Sequence, residues 1–139
     1  MVQVLDYQAI EPLSSFNPGN AFQIPQSPFK LLLASIQINI PSSATGNNSV
    51  ELVSTVGVEG MTNISQIVFR ILRNGQEIYN TQVGAESADS EINYAFTFQA
   101  IDFNISGVNF YQLTAKNATP GTQASIVGPV SFSGLAIES

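Results

Sequence analysis

No cysteine, histidine or tryptophan occurs in the 139 residues, and charge is scarce: 4 basic and 10 acidic side chains, 10% of the chain. Each absence removes a class of chemistry. Without cysteine there is no disulfide and no thiol nucleophile. Without histidine the commonest general base is gone, and with both missing so are the usual transition-metal ligands. No Ser/His/Asp triad can be assembled. Neither Gly-x-Ser-x-Gly nor a phosphate-cradling Gly-x-x-x-x-Gly-Lys occurs. Catalysis is therefore not expected, and no cofactor or metal is expected either.

The net charge of −6 leaves little to neutralise phosphates. Nucleic acid and anionic membrane are excluded as expected partners. No apolar run approaches the ~18 residues of a membrane span. The start, Met-Val-Gln-Val-Leu-Asp-Tyr, lacks a basic region followed by a long apolar one, so no secretory leader is expected. Ser, Thr, Asn and Gln stand where an average domain, about 25% charged, carries ions. Such a neutral, hydrogen-bonding exterior suits β-structures that pack against copies of themselves.

What is present is strand pattern. Residues 67–83 read as two runs rich in Ile, Val, Phe, Tyr and Thr around Asn74-Gly75, the strongest short-range hairpin signal. A two-residue type I′ turn there sets Leu72 opposite Glu77, Ile71 opposite Ile78 and Arg70 opposite Tyr79. Arg70 and Tyr79 would then share a face and stack. Residues 29–40 alternate with Leu32, Ala34, Ile36, Ile38 and Ile40 on one side. Residues 50–58 follow with Val50, Leu52, Val56 and Val58 inward, and residues 60–65 read as a turn. Residues 91–101 place Ile92, Tyr94, Phe96, Phe98 and Ala100 on one face, and these aromatics are expected to fill much of the core. Residues 108–117, 122–127 and 130–137 complete eight strands, with Gly128-Pro129 between the last two as a bulge or bend. Eight short strands with no helical stretch predict an all-β fold, an antiparallel jelly-roll β-sandwich.

Residues 1–28 differ. They hold four of the seven prolines and a short strand-like patch. Two readings follow. The segment is an N-terminal strand on its own domain, or it is a connector arm that leaves a domain at 29–139 and adds a strand to a neighbour. In the second, Val2, Val4, Leu5, Tyr7 and Ile10 are the self-assembly anchors, on a tether stiffened by proline. Other candidates are weaker. Glu86, Asp89 and Glu91 form an acidic cluster without calcium-loop spacing. Tyr7, Tyr79 and Tyr111 are candidates for a sugar-binding face or for ordinary strand packing. Asn47, Asn63, Asn104 and Asn117 head glycosylation sequons, frequent by chance in such a composition.

Two resemblances bear on function. Val-Gly-Pro-Val-Ser-Phe-Ser-Gly-Leu-Ala-Ile (127–137) resembles the closing strand of jelly rolls in the tumour necrosis factor and complement-head superfamily. More extensively, Leu-Asp-Tyr-Gln-Ala-Ile-Glu-Pro, Pro-Phe-Lys-Leu-Leu-Leu-Ala-Ser-Ile, Val-Phe-Arg-Ile-Leu-Arg-Asn-Gly-Gln-Glu-Ile-Tyr and Phe-Thr-Phe-Gln-Ala-Ile-Asp-Phe-Asn resemble the Bacillus exosporium protein C group, over residues 5–137. That resemblance implies a spore-surface protein, made in the mother cell and released by its lysis. It further implies a pilus-like endospore appendage, in which the connector of one subunit docks into the next, so that the partner is the protein itself. An exosporium anchoring protein and a tip protein would be further partners. Appendage types locked by cysteines differ from this cysteine-free chain. The alternatives are a trimeric, lectin-like jelly-roll module and a non-fibrous exosporium coat component.

Overall fold

The computed structural model describes residues 2–44, 46–87 and 92–139. Among these residues nine antiparallel strands make two sheets. They are β1 (Gln3–Leu13), β2 (Phe22–Gln23), β3 (Leu31–Ile40), β4 (Asn48–Thr62), β5 (Ile64–Arg73), β6 (Gln76–Glu86), β7 (Asn93–Phe103), β8 (Gly107–Asn117) and β9 (Gln123–Glu138). One sheet has the order β1-β9-β4-β7, with β2 also on β9; the other has β3-β8-β5-β6. Except for the β5–β6 hairpin, successive long strands lie in opposite sheets. This is the jelly-roll β-sandwich that the strand pattern predicts.

Period-2 alternation fills the space between the sheets. Val50, Leu52 and Val56 of β4, Ile67, Phe69 and Ile71 of β5, Tyr111 and Leu113 of β8, and Phe132 and Ala136 of β9 are fully buried. Most of their outward neighbours are polar or at least half-exposed, as strand geometry requires, Leu72 beside Ile71 being buried as well. The largest buried side chains are Tyr111, Phe69 and Phe132. The expected aromatic row of β7 does something else. Tyr94, Phe96 and Phe98 are only half-buried, because β7 is an edge strand beside the other edge, β6. They line that side of the sandwich, with Phe98 stacked on Phe69 at 5.2 Å and Tyr94 on Phe96 at 5.5 Å.

The structure revises several local readings. Asn74 and Gly75 have φ of 51° and 85°, as a type I′ turn needs. Leu72 does face Glu77, but a bulge at Ile78 then shifts the register, so Ile71 faces Tyr79 and Arg70 faces Asn80. Tyr79 consequently turns inward and stacks on Phe98 at 5.9 Å. Arg70 pairs with Glu77 at 2.9 Å instead of stacking on Tyr79. Burying an aromatic ring outweighs an exposed cation–π contact. The turn read at 60–65 shrinks to Asn63, at φ 52°, between β4 and β5.

The two closing strands are one. β9 runs through Gly128-Pro129, where residues 127–129 bulge opposite Gly57, since Val56 faces Val130 and Val58 faces Ile126. Glycine is needed on both sides of this bulge. A Cβ on Gly57 would overlap the Gly128 carbonyl, and one on Gly128, at φ +84°, would overlap the carbonyl of Ser15. The eighth long strand is therefore supplied by the leading segment.

That segment is laid along its own domain. β1 pairs with β9 from Gln3–Glu138 to Leu13–Val130. The Asn17 amide then donates to the Val127 carbonyl (2.8 Å). Phe22 faces Ile126 and Gln23 faces Ser125, and the Ile24 amide donates to Ala124 (2.8 Å). Residues 3–24 thus follow one flank of β9, with Ile24 fully buried. The division expected at residue 28 is not a separation within this chain. The prolines break the ladder into pieces without lifting it off the sheet.

Candidate interaction surface

Of the expected anchors, only Leu5 packs against the core, at a bulge. Val2, Val4, Tyr7 and Ile10 are 62%, 61%, 58% and 41% exposed. The backbone explains why. β1 is an edge strand, held on one side by β9 alone. Its outward residues Val4, Tyr7 and Ala9 face Ile137, Leu135 and Ser133, which lie on the solvent side of β9.

These residues extend into rows across the sheet. Val4, Ile137, Ser49 and Phe103 are successive cross-strand neighbours, and so are Tyr7, Leu135, Glu51 and Ile101. Phe103 is 64% exposed. The outer face of this sheet therefore carries an apolar stripe with Glu51 in it. A shallow depression of about 390 Å³ on the β1–β9 seam is lined by Tyr7, Ala9, Ile10, Glu11, Val53 and Ser133 among others. Sequence reading missed Ile101, Phe103, Leu135 and Ile137. The signal was there: Ile101 and Phe103 continue the outward series of Thr97 and Gln99, and Leu135 and Ile137 continue that of Ser131 and Ser133.

The Asp6 carboxylate fastens β1 to the opposite sheet. One oxygen accepts from the Asn39 amide of edge strand β3 and the other from the Tyr7 amide, both at 2.8 Å. By contrast, residues 14–20, between β1 and β2, are all exposed and form a 3-10 turn at Pro18–Asn20.

Polar groups inside the sandwich form a cross-sheet pin. Arg73 of β5 donates to both Asp102 oxygens at 2.7 Å, and the Tyr111 hydroxyl donates to the same carboxylate at 2.8 Å. Burial, then the hydrogen bond to Asp102, pushes the Tyr111 phenol far above its ordinary value. The hydrogen bond to Asp102 likewise raises Arg73. Every group here is held by another.

The remaining candidates do not converge. Tyr7 is exposed, Tyr79 half-buried against Phe98, and Tyr111 wholly buried, so the three share no face. Asp89 and Glu91 lie outside the described residues. Among the described residues no group of three or more His, Cys, Asp or Glu is placed to hold a metal ion. The sequon at Asn117 is fully buried. No helix among the described residues is long and apolar enough to cross a membrane.

No protein-family model matches the chain, and no curated protein matches it. Solved structures do. The VP2 subviral particle of infectious bursal disease virus is similar at a TM-score of 0.50 and 11% identity, over 96% of this chain and 37% of that one. T=1 particles derived from the same virus give 0.52 and 12%, over 96% and 36%. Dimeric latent PorU from Porphyromonas gingivalis gives 0.53 and 9%, over 96% and 13%. The chain thus spans well under half the length of these neighbours. At such identity the likeness establishes the fold: an all-β, antiparallel jelly-roll sandwich.

Proposed function

We propose that this chain is a structural, self-associating subunit, joined head-to-tail when β1 of one copy pairs with β9 of the next. The observation that carries the reading is the attachment of β1: backbone pairing along one flank of β9, with Val4, Tyr7 and Ile10, and Val2 just before the strand, left in solvent. The same ladder formed in trans keeps every hydrogen bond of the cis arrangement. Its cost is then chiefly the entropy of association. The exposed segment 14–20 is the hinge, and the buried Ile24 keeps each donor rooted in its own sandwich. An exchange in which each copy gives to one neighbour and receives from another is head-to-tail, and it grows as a filament when its rotation does not close a ring.

Support for self-association comes from the viral neighbours, which form subviral and T=1 particles. The more specific reading, a fibre of the endospore appendage kind on the exosporium, rests on the segment resemblance to the exosporium protein C group. Deleting residues 1–13 and inspecting the product by electron microscopy tests it. The full chain should form fibres and the shortened chain should not. Fibres from the shortened chain would rule out β1 as the connector.

A further inference from the structure

We infer that a second contact joins copies of this chain, face to face: the outer face of the β1-β9-β4-β7 sheet of one copy docks on the outer face of the β3-β8-β5-β6 sheet of another. The inference rests on the self-association reading above, but uses different atoms from the β1 exchange.

Charge distinguishes the two faces. On the first, Glu51 faces Leu135 and Ile101, and Glu59 faces Ser125 and Asn93. Both are half-exposed, and no Lys or Arg lies on β1, β4, β7 or β9. On the second, Lys116 projects outward beside Val68, and Lys30 directly precedes β3. Among the described residues the two ion pairs engage only Arg70 and Arg73. Among the described residues neither Lys116 nor Glu51 nor Glu59 has an ionic partner. The acids on the second face are Glu77, paired with Arg70, and Glu86 at the outer edge of β6, which opposes this pattern.

Both faces also expose apolar surface. The first has Phe103, Ile101 and Tyr7. The second has Leu32, Phe110 and Val108, 53%, 51% and 49% exposed. An acid inside an apolar stripe disfavours the stripe meeting its own copy, because Glu51 would meet Glu51. It favours a partner that brings a cation and apolar surface on one face: on the opposite face Lys116 lies beside Val68, with Phe110 and Val108 further along the same strand. Four strands about 4.8 Å apart and ~33 Å long present on the order of 600 Å². Two such faces would bury roughly 1,200 Å², the lower bound of specific interfaces. Unlike faces give a heterologous contact, which stacks copies in an open array when its rotation does not close a ring.

Charge reversal tests this. Glu51→Lys with Glu59→Lys makes both faces cationic, and Lys116→Glu makes both anionic. Circular dichroism and thermal melts establish that each variant folds, and light scattering follows assembly against concentration. Each variant alone should need at least about tenfold more protein than the parent to assemble, because like charges now meet. An equimolar mixture should recover the parental threshold, since each variant offers the face the other lacks. Variants that assemble alone at the parental threshold overturn the face-to-face contact while leaving the β1 exchange standing. A mixture that stays dispersed overturns it too, as does a discrete dimer indifferent to Lys116→Glu. A parent chain that never associates removes both readings together.

Discussion

Strands β1 and β9 are hydrogen-bonded neighbours, yet the sandwich treats them differently. β9 is paired on both flanks and buries Ile126, Val130, Phe132 and Ala136 completely. β1 is paired on one flank, and of its apolar residues only Leu5 and Leu13 pack against the core. Hydrophobic burial fixes β9 in place, whereas backbone hydrogen bonds, each worth about 1 kcal/mol net, hold β1. A strand held mainly by its backbone is one that an equivalent strand from another copy can replace.

The largest expected effect separates the two strands directly. Phe132→Ala should cost about 3–5 kcal/mol in urea unfolding, since a fully buried ring leaves a cavity. Tyr7→Ala on the opposite side of the same ladder should stay within about 1 kcal/mol. Equal losses would mean that β1 is as much core as β9. Next comes Asp102→Ala, expected to cost about 3 kcal/mol, because it strands the Arg73 guanidinium and the Tyr111 hydroxyl together. That loss should fall on the sandwich and leave assembly of the folded protein unchanged.

Alkaline pH probes the same pin. The folded Tyr111 keeps its proton above pH 10, where the unfolded chain releases it. The folded state then binds more protons, so stability falls as pH rises past 10, by about 1.4 kcal/mol per unit from this group. Tyr111→Phe should flatten that slope in denaturation measured between pH 9 and 11. The smallest effect is at the edge. Asp6→Ala should cost about 0.5–1 kcal/mol and appear as faster hydrogen exchange of the β1 amides, with those of β4 unaffected.

Much of this was legible in the sequence. Alternation at 50–58 and 108–117 and the Asn74-Gly75 turn gave strands, faces and a hairpin, because period and turn chemistry are local. What escaped depends on neighbours. The Ile78 bulge is chosen by Tyr79 reaching Phe98, a residue of the other sheet. Gly128-Pro129 looks like a break until Gly57 is seen to make room for it. β7 reads as core from its alternation and is an edge, since alternation does not reveal which strands lie beside it. The leading segment reads as an arm that leaves its domain, whereas β1 lies along its own β9. Its prolines concealed that the jelly roll takes its eighth long strand from it.

The absence of cysteine makes the decisive measurement clean. Tyr7 and Leu135 face each other across the β1–β9 ladder. Chains carrying Tyr7→Cys alone and Leu135→Cys alone, mixed in equal amounts, assembled and oxidised, can join these positions only between copies. Strand exchange predicts a disulfide-linked pair of the two different chains, lost on reduction. Mixtures in which fibres form but the two chains remain unlinked would contradict it, and would leave β1 on the domain it starts from.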